Sequence, residues 1–360
     1  MADSAVAEQM LSIPQRAAAV AKGGVRDTRF RALTFIAALL VLFIFAGVMA
    51  SLIDGAMPAI KAFGWSFLSS TDWNPVTQKF GALPSIYGTL VSSFLAMFLA
   101  VPIGIGIAIF LTEICPRPLR RPIGIAIELL AGIPSIIYGI WGLFIFAPWF
   151  QEHVQTWLTN ATGVGDTSTV DGSGVVLHAI LVPLGWLIQH LCTWIPFLGD
   201  IFAGPPYGIG LFTASLILSI MILPFISSVT RDVFETVPHM LKEAAYGLGC
   251  TTWEVMWRVV LPFARTGVVG GAMLALGRAL GETMAVTFVI GNDHHIHESL
   301  FAPATTISAS IANEFTEAVG DLYTSSLIEL GLILFFITFV VLASAQLMLY
   351  ALERRAGGAS

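Results

Sequence analysis

Arg278 and Glu282 stand four residues apart inside an otherwise apolar run, 267–290. On one helix that spacing puts both on the same face. An ionised side chain at mid-bilayer costs about 2.5–3.5 kcal/mol on insertion scales, so the pair must meet protein or water. Arg is permanently charged, and its planar fork of donors matches the oxygens of an oxyanion. Glu282 would hold Arg278 between passages of an anion, or take a proton from a protonated one. The other reading of the spacing is a structural ion pair that locks helices together. Upstream, Thr213, Ser215, Ser219, Ser227 and Ser228 could add hydroxyl donors, although Ser and Thr often bond their own helix backbone. Asp293, His294, His295, His297 and Glu298 form a dense polar cluster after the run. Their types suit a metal, but three His within four residues is not a standard ligand spacing, so a solvated loop without metal is expected. None of the four lysines (Lys22, Lys61, Lys79, Lys242) precedes Ser or Thr, which rules out a phosphate-cradling P-loop. Cys115, Cys192 and Cys250 are far apart and form no CxxC pair.

The elements that must carry these residues are membrane spans. Of 360 residues, 56% are hydrophobic and 11% charged, with mean hydropathy +0.83. A soluble domain carries about 25% charged residues; this chain has too few to cover a water-facing surface. The apolar content excludes a disordered chain, and the acidic balance (net charge −6) excludes a nucleic-acid binder. Six runs reach the roughly 20 residues needed to cross a bilayer: 33–53, 86–111, 123–146, 207–230, 267–290 and 322–350. A seventh, 179–198, is interrupted by Pro183, Gln189, His190 and Pro196. It is expected to lie at the outer membrane interface, where Trp186 and Trp194 fit.

Basic residues mark the cytoplasmic side. They cluster at Arg16, Lys22, Arg26, Arg29 and Arg31; at Arg117, Arg120 and Arg121; at Arg231, Lys242, Arg258 and Arg265; and at Arg354 and Arg355. The alternate loops hold only Lys61 and Lys79. Six spans with both termini in the cytoplasm follow. Residues 1–30 form a cytoplasmic segment, poorly ordered to about residue 28; 31–352 form the transmembrane domain, with an external segment at 151–206; 353–360 form a cytoplasmic tail. No cleavable signal peptide is expected, because the first apolar run begins beyond residue 30. The external segments come out strongly acidic.

The longest cytoplasmic loop, 231–265, predicts two short helices about a glycine bend. Pro238 fits a first helical turn, Gly247 or Gly249 a left-handed stop, and Thr251 with Glu254 a capping box. Pro262 is expected to end the second helix before the next span. In this loop Glu243, Ala244, Ala245, Gly249, Leu261 and Pro262 resemble the EAA motif of ABC importer permeases, with Val259 where the pattern has Ile. The resemblance implies an all-α, type I ABC importer (MetI-like) permease fold, its core at about 84–350. It also implies that the loop docks on an ATP-binding subunit and couples its movement to the spans.

Residues 276–286 (LGRALGETMAV), residues 208–234, and Ile133, Pro134, Ser135 and Tyr138 resemble the PstC-type permeases of phosphate importers. That implies a bacterial inner-membrane permease for inorganic phosphate, with Arg278, Glu282, Thr213, Ser215 and Ser219 along the substrate path. It implies three kinds of partner: a second permease subunit (PstA type), two ATP-binding subunits (PstB type), which hold the ATP and Mg²⁺ that this chain lacks, and an external phosphate-binding protein (PstS type). The acidic exterior would repel free phosphate, which favours delivery on that carrier. Another oxyanion, such as sulfate or molybdate, is the nearest alternative. An ion-coupled secondary transporter is the other, opposed by the EAA loop and by the lack of an inverted repeat. Small residues in rows of four, Gly267–Gly271–Ala275–Ala279 and Gly277–Gly281–Ala285, allow close helix packing, either between permease halves or within the chain.

Overall fold

The computed structural model describes residues 13–157, 202 and 204–357, all helix and connecting segments apart from two isolated bridges. The run 179–198, with Trp186 and Trp194, lies outside the described residues, as do residues 1–12. The chain divides into two units, Met1–Gly55 and Ala56–Ser360.

The first unit holds most of helix α1 (Ile13–Phe63). Its side chains from Phe30 to Val48 are mostly apolar and all exposed, as suits a helix in contact with lipid. Of the segment expected to be poorly ordered to about residue 28, the part before Ile13 lies outside the described residues, and the part from Ile13 is helical. The stretch 16–22 is rich in Ala, Lys and Arg, which are strong helix formers.

In the second unit, α2 (Ser66–Ser69) leads to α3 (Leu83–Ile109), which widens into a π turn at Phe110–Ile114. The third run, expected as one crossing over 123–146, is instead broken. Helix α4 (Arg117–Ala131) and the stretch Ser135–Gln155, which begins as α5 (Ser135–Trp141), meet at 88°. The break follows from Gly132 and Pro134: proline has no N–H to continue the helix and pushes Ile133 out of the helical region. The Tyr138 hydroxyl spans the corner to Leu130 O at 2.9 Å.

Helix α6 (Leu211–Glu235) is the most enclosed. It is followed by α7 (His239–Gly247), by α8 (Thr252–Val255) with a π turn at Met256–Val260, and by α9 (Leu261–Leu280). The expected stop at Pro262 is corrected. The chain stays helical from Thr252 to Leu280, because the π turn shifts the hydrogen-bond ladder just ahead of the proline. Leu261 N–H reaches Met256 O, five residues back. Short helices α10 (Met284–Thr287) and α11 (Ile307–Glu314) precede the last span, α12 (Asp321–Gly357). Among the described residues, five helices are long and apolar enough to cross a membrane, and six if the bent pair counts as one span.

The core lies between α3, α6 and α9, where Ile217, Leu218, Met221, Ile222 and Ile226 are sealed against Ala96, Ala100, Ala275 and Ala279. A β-carbon on Gly267 or Gly271 would sit 2.6–2.8 Å from Val233 or Val229 of α6. That small-residue row therefore serves packing within the chain.

Candidate functional site

The loop after α6 builds a rigid bend. Helix α7 starts behind Pro238 and ends in a paired closing motif: Gly249 N–H donates to Tyr246 O at 2.9 Å and Cys250 N–H to Ala245 O at 3.2 Å. The motif needs a left-handed residue, and Gly249 has φ +86°. Thr251 then caps α8: Glu254 N–H donates to its Oγ1 at 3.3 Å, and Thr251 N–H donates to Glu254 Oε2 at 2.9 Å, the expected capping box.

The motif residues divide by face. Ala245 is buried among Ala108, Phe234, Val237, Val255 and Met256. Glu243, Ala244 and Gly249 are exposed. With Met240, Gly247 and Leu248 they present a thin, mostly small-residue surface. Leu261 and Pro262 open α9, so the loop is mechanically continuous with that span.

Three ion pairs that sequence reasoning missed, two of them long-range, fix this region. Lys242 Nζ lies 2.6 Å from Glu113 Oε1, with both side chains 12% exposed, pinning α7 to the π turn after α3. Arg231 Nη2 lies 2.7 Å from Glu128 Oε1 and 3.0 Å from Asp232 Oδ1, joining the end of α6 to α4. Neither long-range pair has a spacing that marks it in the sequence; each exists only because the helices meet.

Arg278 and Glu282 do not share a helix face, which corrects the reading from their spacing. Helix α9 ends at Leu280, and Glu282 follows the break. Glycines at 277 and 281 weaken the helix there. The Glu282 carboxylate accepts from Ala285 N–H at 3.4 Å at the start of α10. The exposed Arg278 guanidinium lies over Phe225 of α6, 4.5 Å from the ring centroid. Its charge sits at the C-terminal end of α9, where the helix dipole favours a cation.

The hydroxyls of α6 donate to main-chain carbonyls: Thr213 to Gly208 O, Ser215 to Leu211 O and Ser219 to Leu216 O, each at 2.7 Å, then Ser227 to Pro224 O and Ser228 to Phe225 O. Thr213 and Ser215 are fully buried.

The histidine cluster separates into two groups. Asp293 gathers His295 Nδ1 at 2.6 Å and His297 Nε2 at 2.9 Å. Burial raises the Asp293 pKa, but the two histidines and the His295 N–H outweigh it and hold the carboxyl below its ordinary value. His294 turns instead to Glu314, its Nε2 2.7 Å from Oε1. Trp73 Nε1 at 2.7 Å and the Tyr323 hydroxyl at 2.6 Å donate to the other Glu314 oxygen. Trp73 and His294 stack, centroids 5.0 Å apart. Burial pushes Glu314 up, and the three donors pull it below its ordinary value. No group of three metal-ligating side chains occurs among the described residues.

The model of the family "Binding-protein-dependent transport system inner membrane component" matches residues 100–358. A phosphate transport system permease protein PstC from Mesorhizobium japonicum is 59% identical over 355 residues, covering 98% of this chain and 99% of that one. Its counterpart from Pasteurella multocida is 55% identical over 91% of this chain and 93% of that one. Among solved structures, a bacterial ABC transporter involved in the import of the acidic polysaccharide alginate matches with TM-score 0.55 at 17% identity, over 91% of this chain and 98% of that one. That likeness shows the fold. The chain belongs to the binding-protein-dependent transport system inner membrane components, in the branch of the PstC phosphate transport permeases.

Proposed function

We propose that this chain is the membrane-spanning permease subunit of an ATP-driven importer of inorganic phosphate. The observation that carries the reading is the exposed α7 bend, built on the EAA residues and continuous with α9, in a chain that is 59% identical over nearly full length to a phosphate permease. ATP hydrolysis belongs to other polypeptides, since no lysine here precedes Ser or Thr. Two ATP-binding subunits (PstB type) hold ATP and Mg²⁺ and receive α7 through Glu243, Ala244 and Gly249. Ala245, Leu261 and Pro262 pass the push to the spans.

A second permease subunit (PstA type) covers Arg278. An exposed guanidinium in a membrane span cannot face lipid cheaply, so a polar path or a protein partner must meet it. Arg278 and Glu282 line that path, with Thr213, Ser215 and Ser219 shaping its wall. An external phosphate-binding protein (PstS type) delivers the anion. The basic loops support a cytoplasmic position for both termini and for α7.

The test is reconstitution of the chain with its partner subunits in liposomes. Phosphate uptake should require ATP on the α7 side and should not follow a proton gradient alone. Gradient-driven uptake without ATP would return the chain to a secondary transporter. Uptake of sulfate or molybdate in place of phosphate would change the substrate.

A further inference from the structure

A cleft of about 330 Å³ opens where α4 begins and α6 ends. Arg117, Arg120, Arg121 and Arg231 line it against Glu128 and Glu235, an excess of two positive charges. Arg231 is committed to Glu128 and Asp232. Among the described residues Arg117 and Arg121 have no ion-pair partner, and both are exposed. Arg120 donates through Nη2 to Thr112 O, while its Nε is buried with no partner at all. A buried, unpaired guanidinium donor costs about 1–3 kcal/mol or more, and such a group calls for a missing acceptor.

The arginines also occupy the first five residues of α4, a turn without any acidic residue. A helix N-terminus carries positive partial charge, so three cations there repel both the dipole and one another. An anion in the cleft relieves the repulsion among the arginines and between them and the helix end. Gly124 keeps the space open: a β-carbon there would sit 2.9 Å from Arg231 Nη1.

We infer that this cleft is a binding site for a phosphate group, held by Arg117, Arg120 and Arg121 at the membrane surface. Guanidinium forks match phosphate oxygens in pairs. The site lies at the ends of two membrane-spanning stretches, with Leu119, Ile125 and Leu129 exposed along the same helix. The group therefore arrives either on an anionic phospholipid, whose chains follow those apolar residues, or as free inorganic phosphate. The site is separate from Arg278 and does not depend on the transport path.

The experiment uses the full chain with its partner subunits in detergent. Phosphatidylglycerol, phosphatidylcholine and inorganic phosphate are titrated separately, and binding is read from the shift in unfolding temperature and by native mass spectrometry. Arg117→Gln and Arg121→Gln should not lower the ligand-free unfolding temperature, because neither side chain has an ion-pair partner and each adds to the repulsion. Each should weaken binding about tenfold, the value of one charge-assisted hydrogen bond. Arg278→Gln should leave this binding intact. A response to phosphatidylglycerol above phosphatidylcholine assigns the lipid source; an Arg121-dependent response to inorganic phosphate assigns the free anion. Either supports the site. No response to any of the three, or binding equal to wild type in both variants, overturns it.

Discussion

Arg278 stands at the end of α9 with one face on Phe225 and the other exposed. The cation–π contact is worth about 0.5–1 kcal/mol at an exposed site, too little to hold a charge in a membrane for packing alone. Arg278→Gln should therefore abolish ATP-driven phosphate uptake while the subunits still co-purify; undiminished uptake would leave Arg278 a packing role against Phe225. Glu314 makes a separate prediction. Its three donors hold the carboxyl below 4.5, so it stabilises the fold above that pH and loses the contribution as pH falls through its lowered value. Glu314→Gln should cost about 1–3 kcal/mol in thermal unfolding at pH 7 and flatten the acid side of the stability profile. A profile unchanged by the substitution would remove Glu314 from the acid response.

At the scale of elements, the 231–265 loop was legible because its signals are local. Pro238, Gly249 and the Thr251–Glu254 pair each fix the few residues around them, and all three act as their types require. Pro262 misled because a π turn five residues long is invisible to helical periodicity. Glu282 misled for a related reason: a four-residue spacing implies a shared face only if the helix continues, and α9 ends two residues earlier. Lys242–Glu113 and Arg231–Glu128 were unreadable, because 129 and 103 residues of chain separate the partners. Lys242→Met would leave the partly buried Glu113 unpaired, at a cost of about 1–3 kcal/mol. Adding Glu113→Leu should restore most of it; a double variant no better than the single would deny the coupling. Gly249→Ala meets no atom within 4 Å, so its expected cost of about 1–2 kcal/mol is purely the left-handed backbone. Glu243→Lys, on the exposed face, should leave thermal unfolding unchanged and still cut ATP-driven uptake.

For the whole molecule, the proposed orientation rests on charge placement. Reporters fused near either terminus should read cytoplasmic, and one fused after Pro206 external; a cytoplasmic signal at Pro206 would add a crossing and invert the later loops. The six-run count survives only with the third crossing bent at 88°, and that bend governs how the chain is made. A translocon hands a helix to lipid on its own when the helix is apolar throughout. Beyond its surface arginines, helix α4 carries Glu128 inside the third apolar run, and a charge within a span opposes such partitioning. Its Glu128 finds Arg231 only once α6 has been synthesised. The third crossing should thus wait at the translocon and leave together with the fourth, so a ribosome stalled shortly after residue 157 would hold a nascent chain with its third helix not yet released.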